Sequence, residues 1–284
     1  MVEKAYGFFH LLRPVNCFMM GLAVLIGEVV TYKKLYLYPS ILGFLTAFAL
    51  TGASMTANDY WDRDADVINS PNRPIVSGAI SIRMALLYAV ILTILGLFSA
   101  LLTNTTCLLI AFASLSVSLL YSYRGKKLGI IGNFMVSLCI AIPLFYGGFV
   151  YSDLSFTGLR ILFLFDILVF LANTGREVNK GIADIEGDKI RGEKTVAILF
   201  ELRTAAIVSV AFYLSAVVLS ILPWVLGFVS WIYLPFVIIA DVGFFTSSFI
   251  LLRNHSKESA LKVKKMVLIW MNMGLFAFVV GVFE

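Results

Sequence analysis

Nine apolar segments, each about 17–23 residues long, fill most of this chain and constrain its fold more than any other feature. An α-helix of that length crosses the hydrocarbon core of a membrane. Hydrophobic residues make up 60% of the 284 residues, which is more apolar surface than a soluble domain buries. The sequence therefore predicts an all-α polytopic membrane protein with nine transmembrane helices. The approximate segments are 14–31, 38–58, 83–102, 105–122, 130–151, 158–175, 204–223, 229–251 and 264–283.

Successive connections between the apolar segments lie on opposite sides of the membrane. The basic residues are unevenly distributed between these two sides. Only Lys33, Lys34 and Arg160 fall on one side, and the other 19 of the 22 Lys and Arg residues lie at the N-terminus or in the connections and flanks of the other side. Because cytoplasmic loops are enriched in Lys and Arg, we expect the N-terminus to be cytoplasmic, together with these basic connections. The net charge of +5 is modest, and we expect no nucleic-acid partner.

Two acidic clusters lie at the ends of apolar segments, on the side that carries the basic residues. In the first, Asn58, Asp62 and Asp66 are spaced by four, and in the second Asp184 and Asp188 have the same spacing. On a helix, residues spaced by four share one face, so each cluster is expected to present its side chains together. Carboxylates are costly in hydrocarbon and are kept where they are solvated, paired or metal-bound, which makes these residues functional candidates.

The two clusters occupy equivalent positions, after the second and the sixth apolar segments. Four segments separate them, and an even number of spans between like motifs indicates a parallel repeat about an axis along the membrane normal. We therefore predict two four-helix pseudo-repeats around a central cavity, with the clusters facing each other and one helix left over. Residues 1–284 are expected to form a single membrane-embedded domain.

Facing sets of hard oxygen ligands suit Mg²⁺ that itself bridges a diphosphate. Neither cluster alone supplies enough ligands for a metal ion, whereas the two together do. Breaking an allylic C–O bond requires the charge on the departing diphosphate to be neutralised, which metal ions and Lys or Arg achieve. The pattern therefore predicts a site that ionises an allylic diphosphate, next to an apolar chamber that keeps water away from the carbocation.

Basic residues border both clusters and form a candidate phosphate-binding mouth. Arg73 follows the first cluster on a loop that Pro71 and Pro74 make rigid, and Lys180 precedes the second cluster. The stretch 121–127 adds a third basic connection. The candidate substrate-binding residues are Arg73, Tyr121, Lys126, Lys127 and Lys180, with Asn16 as a residue that either faces the cavity or ties helices together.

These motifs resemble those of the UbiA superfamily of intramembrane prenyltransferases. The resemblance rests on N-D-x-x-D-x-x-x-D at Asn58–Asp66, N-R-P-I at Asn72–Ile75 and D-x-x-x-D at Asp184–Asp188. Many members have K-D-x-x-D-x-x-G-D as their second motif, whereas Gly181 stands here in place of the first Asp. The stretches 73–81 and 175–188 look most like the archaeal ether-lipid branch of the superfamily.

The resemblance implies a Mg²⁺-dependent enzyme that transfers a geranylgeranyl group from geranylgeranyl diphosphate to geranylgeranylglyceryl phosphate, forming the second ether bond of archaeal lipids. It implies a multi-pass protein of the cell membrane with its active site at the cytoplasmic face. The implied partners are a prenyl diphosphate donor, a lipid-phosphate acceptor and membrane lipid, and the oligomeric state is left open. Implied catalytic residues are Asp62, Asp66, Asp184 and Asp188, and implied metal ligands are these four with Asn58 and Asp59.

Other functions remain as alternatives. An aromatic prenyltransferase acting on a hydroxybenzoate or quinone-precursor ring, or a haem or chlorophyll prenyltransferase, would use the same scaffold. A cation transporter would place its acids near the bilayer midplane on interrupted helices, where this chain has Asp166 and Asp241, for which we favour structural hydrogen bonds. A purely structural protein has no need of two matched acidic clusters. Cys17, Cys107 and Cys139 lack metal-ligand spacing and are expected to be inert thiols.

Overall fold

The computed structural model describes residues 2–151, 154–190 and 192–283, without the side chains of residues 2–4, 65, 68 and 69. Within these residues the regular structure is all helical, and nine helices are long and apolar enough to cross a membrane, as predicted. The helices are α1 (Val2–Leu12), α2 (Pro14–Tyr32), α3 (Leu37–Asn69), α4 (Ile82–Thr103), α5 (Thr105–Tyr123), a 3₁₀ turn (Gly125–Leu128), α6 (Ile130–Gly147), α7 (Phe156–Ala183), α8 (Ile185–Ile190), α9 (Val196–Ser220), α10 (Leu222–Val225), α11 (Tyr233–Arg253) and α12 (Lys257–Gly281).

Two spanning helices are much longer than the apolar segments that predict them. α3 continues to Asn69 instead of ending near residue 58, and α7 continues to Ala183 instead of ending near residue 175. Charged residues lower the hydropathy at these ends, but they do not interrupt the backbone hydrogen bonds of a helix. The first acidic cluster therefore lies on a helix that is continuous with a membrane span. Helix α1, which precedes the first span, is an element that the sequence analysis did not predict.

The chain divides into two compact units. The first contains Met1–Glu28, Leu35–Arg124 and Ile142–Leu154, and the second contains Val29–Lys34, Gly125–Ala141 and Ser155–Glu284.

In the first unit, α3 packs against α1, α4 and α5. Its core contains Cys107, which is completely buried, and Tyr146, whose hydroxyl donates a 3.3 Å hydrogen bond to the Thr46 hydroxyl. Asn104 fixes the tight turn between α4 and α5. Its side chain accepts a 2.8 Å bond from the backbone N–H of Cys107 and donates a 2.7 Å bond to the carbonyl of Phe149. This side chain is a standard helix N-cap that also ties α5 to the chain after α6.

In the second unit, α7 packs against α9 and α12, and α11 packs against both of those helices. The approach of α7 to α9 is close because Gly175 has no side chain. A Cβ atom there would lie 2.7 Å from the Tyr213 ring, and the Ser209 hydroxyl donates a 2.8 Å bond to the Gly175 carbonyl. The amide of Asn179 donates a 3.0 Å bond to the Ala260 carbonyl and so links α7 to α12. Side-chain to backbone bonds of this kind join helices inside a membrane.

Two acids within the spans, Asp241 and Glu28, have hydrogen-bond partners that fix their side chains. The hydroxyl of Ser220 donates a 2.7 Å bond to Asp241, so the expected structural hydrogen bond is confirmed for that residue. Glu28, which the sequence analysis overlooked, is completely buried in α2. Its carboxylate accepts 2.7 Å bonds from the backbone N–H of Tyr36 and the hydroxyl of Ser40, and it thereby stabilises the start of α3.

Candidate active site

The first acidic cluster projects from the last three turns of α3, in the first unit. Asn58, Asp62 and Asp66 follow one another at intervals of one turn, as the sequence predicts. The amide of Asn58 donates a 2.8 Å hydrogen bond to Oδ2 of Asp62, which brings an amide oxygen and a carboxylate onto the same face. Both side chains are half-buried, and both present the hard oxygen atoms that Mg²⁺ prefers.

Asp59 and Asp66 are buried and paired with arginines. Oδ1 of Asp59 accepts hydrogen bonds from Nη2 of Arg13 and, at 2.8 Å, from Nη1 of Arg73. The same Nη1 atom lies 2.7 Å from Oδ2 of Asp66. Asp59 is only 3% exposed, and two guanidinium groups offset the cost of burying its charge. The structure thus adds Arg13 to the residues around the first acidic cluster. In the sequence, Arg13 was interpreted only as one of the basic residues that orient the protein in the membrane.

Arg73 lies on a loop whose backbone is held by its own hydrogen bonds. The N–H of Arg73 donates to the Ser70 carbonyl at 3.0 Å, and the N–H of Ser77 donates to the Arg73 carbonyl at 2.8 Å. Ile80, at the end of this loop, is buried and packs with Leu11 of α1. Since α3 ends two residues before Pro71, the predicted stop and the predicted ordered loop are both observed.

The second acidic cluster lies at a helix break in the second unit, so its residues do not share one continuous helix as expected. α7 ends at Ala183 and α8 begins at Ile185, with Asp184 between them. The backbone N–H of Asp188 still donates to the Asp184 carbonyl at 2.9 Å, which keeps the two acids one turn apart. Asp188 is buried, whereas Asp184 is half-buried.

A small ion-pair network precedes this cluster on α7. The buried carboxylate of Glu177 lies 3.2 Å from Nη1 of Arg176 and 3.2 Å from Nζ of Lys180. Lys180 is therefore held by an acid one turn earlier on α7. The sequence analysis singled out Lys180 but not Glu177, although the spacing of three residues was visible in the sequence.

Gly181, where many family members have Asp, packs against the residue that starts α9. A Cβ atom on Gly181 would lie 3.3 Å from Cβ of Thr195, which is tight, and 3.6 Å from the Thr195 hydroxyl. A side chain at this position would require Thr195 to shift by a few tenths of an ångström. The acids spaced by four in the second cluster are Asp184 and Asp188.

The remaining predicted residues lie on other elements. Lys126 and Lys127 form the middle of the 3₁₀ turn, where Lys126 is half-buried and Lys127 is exposed, so the two ammonium groups have different surroundings. Tyr121 is half-buried in the last turn of α5, and Asn16 is exposed in the first turn of α2. Within the described residues, no three Asp, Glu, His or Cys side chains come close enough to hold a metal ion by themselves.

The donor chemistry nevertheless fits Mg²⁺. This ion keeps several waters and is usually held by one or two carboxylates together with substrate phosphates, so a site completed by a diphosphate needs few protein ligands. The adjacent oxygen donors of Asn58 and Asp62 meet that requirement.

Comparisons with known proteins identify the family of this chain. The sequence model of the UbiA prenyltransferase family matches residues 17–274. Digeranylgeranylglyceryl phosphate synthase from Methanosphaera stadtmanae is 32% identical over 274 residues, covering 96% of this chain and 98% of that protein. The enzyme of the same name from Pyrococcus abyssi is 34% identical over 278 residues, covering 96% of each.

Solved structures have the same fold. A structure of digeranylgeranylglyceryl phosphate synthase has a TM-score of 0.84 at 30% identity and covers 99% of both chains. A UbiA homologue from Archaeoglobus fulgidus bound to GPP and Mg²⁺ has a TM-score of 0.69 at 20% identity, covering 96% of this chain and 99% of that one. At that identity the second likeness concerns the fold alone. The match of the family over most of the chain, with its motifs in place, makes this multi-pass membrane protein an enzyme of the UbiA prenyltransferase family.

Proposed function

We propose that this enzyme transfers the geranylgeranyl group of geranylgeranyl diphosphate to geranylgeranylglyceryl phosphate, forming the second ether bond of archaeal membrane lipids. The observation that carries the proposal is that the relatives matched over nearly the whole chain are digeranylgeranylglyceryl phosphate synthases. The sequence supports it too, because basic residues border both acidic clusters and both substrates bring phosphate to the enzyme.

Mg²⁺ is the proposed cofactor, held by Asn58, Asp62 and Asp66 from the first unit and by Asp184 and Asp188 from the second. When bound, it would neutralise charge on the diphosphate leaving group. Residues 1–284 would then act as one catalytic domain, because the proposed ligands come from both sequence motifs. The A. fulgidus homologue bound to GPP and Mg²⁺ supports the use of a divalent ion in this family.

The basic residues have the role of holding and neutralising the phosphates. As the C1–O bond of the donor breaks, negative charge grows on the leaving oxygen, and Arg73, Lys126 and Lys180 stabilise it by charge-assisted hydrogen bonds. Lys127, Tyr121 and Asn16 complete the proposed substrate-binding set. The acceptor hydroxyl oxygen forms its new bond to C1, and its proton passes to a carboxylate or to the released diphosphate. Apolar helices around the prenyl chain exclude water that would otherwise capture the carbocation.

The acceptor is tested by offering two classes of acceptor with labelled geranylgeranyl diphosphate. We expect geranylgeranylglyceryl phosphate to be prenylated at least about tenfold faster, in kcat/KM, than geranylgeranylglycerol, because the phosphate contributes charge-assisted bonds of roughly 1.5 kcal/mol or more. A hydroxybenzoate should be a poor substrate. Faster turnover of the hydroxybenzoate than of the lipid phosphate would favour the alternative, an aromatic prenyltransferase, while leaving prenyl transfer itself intact.

We also propose that the protein lies in the cell membrane with its N-terminus and active site on the cytoplasmic side, and that its helices form two pseudo-repeats around a central cavity. The distribution of 19 of the 22 basic residues supports this orientation.

Labelling of single cysteines tests the orientation. Ser77, Lys194 and Ser155 are exposed and suit the substitution. Cys17 and Cys107 are buried and should give little background, and the half-buried Cys139 is replaced by alanine in every variant. An impermeant maleimide is expected to reach Ser77→Cys and Lys194→Cys only from the cytoplasmic side, and Ser155→Cys only from outside. Labelling of Ser77→Cys and Lys194→Cys from opposite sides would contradict a shared site.

A further inference from the structure

We propose that Asp59 is a positioning residue that holds Arg13 and Arg73 as a pair for the diphosphate of the donor, and that Arg13 is an additional phosphate-binding residue. The inference rests on the proposed function and changes the part that Asp59 plays in it. The proposed role of Asp59 is to bind and orient two arginines, and not to coordinate a metal ion.

One carboxylate oxygen joins the two arginines. Oδ1 of Asp59 accepts from Nη2 of Arg13 and from Nη1 of Arg73, although Arg13 lies 46 residues before Asp59 in the sequence. Asp59 is 3% exposed, whereas Arg13 and Arg73 are 31% and 28% exposed. The acid is therefore the buried centre of the group, and the two guanidinium groups are its accessible part.

The geometry argues against a metal ion on Asp59. An oxygen that already accepts two guanidinium N–H bonds would bring a divalent cation into contact with two positive charges, and like charges at that distance repel strongly. Asp59 lies about 60° around α3 from Asp62, because an α-helix turns by about 100° per residue, and its Oδ1 contacts both guanidinium groups. The residue therefore faces the arginines, whereas Asn58 and Asp62 form the pair of oxygen donors.

Arg73 retains donors for a ligand. Toward the described residues it uses Nη1 alone, for both Asp59 and Asp66. An arginine carries five N–H donors in a planar fork, and this fork matches phosphate oxygens better than a single ammonium group does. With the Nη1 edge fixed by two acids, the Nε and Nη2 groups are held in a defined orientation. Pre-oriented donors of this kind bind a diphosphate without further ordering of the side chain.

The backbone at Arg13 provides a second, independent observation. Arg13 has a φ of 51°, in the left-handed region that disfavours residues with a side chain, and it directly precedes Pro14. Its carbonyl accepts a 2.9 Å bond from the N–H of Asn16 and thereby starts α2. Strained non-glycine residues of this kind persist where the surroundings fix them, and they concentrate at functional sites. Here the strained turn places the Arg13 side chain against Asp59.

Binding of geranylgeranyl diphosphate to the full-length protein in EDTA separates an arginine site from a metal site. We expect Arg13→Gln and Asp59→Asn each to raise the metal-free Kd at least about tenfold, the loss of one charge-assisted contact. Asp62→Asn, which removes a proposed metal ligand, should leave the metal-free Kd within about twofold of wild type. Arg63→Gln is the matched control, because among the described residues Arg63 contacts exposed Asp64 and the carbonyl and ring of Tyr60, and neither Asp59 nor Asp66.

Two further measurements identify the ligand and the role of the acid. The Kd for geranylgeranylglyceryl phosphate should not change in Arg13→Gln, since the pair is assigned to the donor. The Mg²⁺ concentration for half-maximal turnover at saturating donor should rise in Asp62→Asn but not in Asp59→Asn. Arg13→Lys, which keeps the charge but not the fork, should show an intermediate donor Kd. Because Asp59→Asn leaves two arginines without their acid, Arg13→Gln tests the same claim if that variant does not fold.

Specific results would overturn the inference. A raised Mg²⁺ requirement with an unchanged metal-free Kd in Asp59→Asn would make Asp59 a metal ligand. A lower melting temperature with an unchanged donor Kd in Arg13→Gln would make the ion pair purely structural, and a changed acceptor Kd would move the pair to the acceptor. Wild-type protein that turns over with Mg²⁺ but binds no donor in EDTA would also exclude the arginine site. Failure of the proposed function is a different result, in which wild-type protein neither binds the donor nor transfers its prenyl group.

Discussion

Asp62→Ala is expected to reduce prenyl transfer by at least about a thousandfold, which corresponds to roughly 4 kcal/mol of lost transition-state stabilisation. Asp62 pairs with Asn58 at 2.8 Å and is a central member of the proposed ligand set. Turnover of labelled geranylgeranyl diphosphate at saturating Mg²⁺ measures the effect. The variant should remain folded and membrane-inserted, because a half-buried side chain at the end of α3 contributes little to helix packing.

The chain offers a matched control two residues away. Asp64 is on the same helix, but its side chain is 87% exposed and lies 3.5 Å from Arg63 in a surface pair. Such pairs contribute little, so Asp64→Ala should keep nearly normal turnover. Near-normal activity of Asp62→Ala, or an equal loss in Asp64→Ala, would exclude the specific role of Asp62.

Asp184→Ala is expected to cause a loss of similar size, although Asp184 lies in the other unit. The reason is that the proposed site needs oxygen ligands from both motifs, and Asp184 and Asp188 are the acids available on this side once Gly181 replaces the family's Asp. The same turnover assay measures the loss.

Glu186 provides the control for this second variant. It is in the same motif, but its side chain is 79% exposed and pairs with Lys257 at 3.1 Å. Glu186→Ala should therefore be close to wild type. If Asp184→Ala turned over normally at saturating Mg²⁺, a site built from two motifs would be wrong, and the first unit alone would have to carry the reaction.

The spanning helices were predictable because their signal is local. Each is a run of apolar residues of sufficient length, and all nine are found close to the predicted positions. The ends of α3 and α7 were not predictable from hydropathy, because a helix can continue through charged residues once it leaves the apolar region. α1 was missed because its 11 residues are too few to span a membrane.

The candidate site was predictable only where its residues are neighbours in sequence. The spacing of Asn58, Asp62 and Asp66 states directly that they share a helix face. The bond of Arg13 to Asp59 joins residues 46 positions apart, and nothing in one sequence indicates such a pair. An arginine before a membrane span is explained by its effect on membrane orientation, so the sequence provided no reason to expect that Arg13 contacts Asp59.

The 33 residues of α3 make it a rigid rod about 50 Å long, with the acidic cluster and the membrane span on the same piece. The number of residues between Leu37 and Asn58 therefore sets the distance of the acidic cluster from the start of α3. One inserted residue would rotate the three acidic-face side chains by about 100° and move them by about 1.5 Å. Eleven inserted residues would nearly restore their direction, but would shift them by about 16 Å along the axis. No insertion restores both the direction and the distance, so this stretch does not tolerate changes of length.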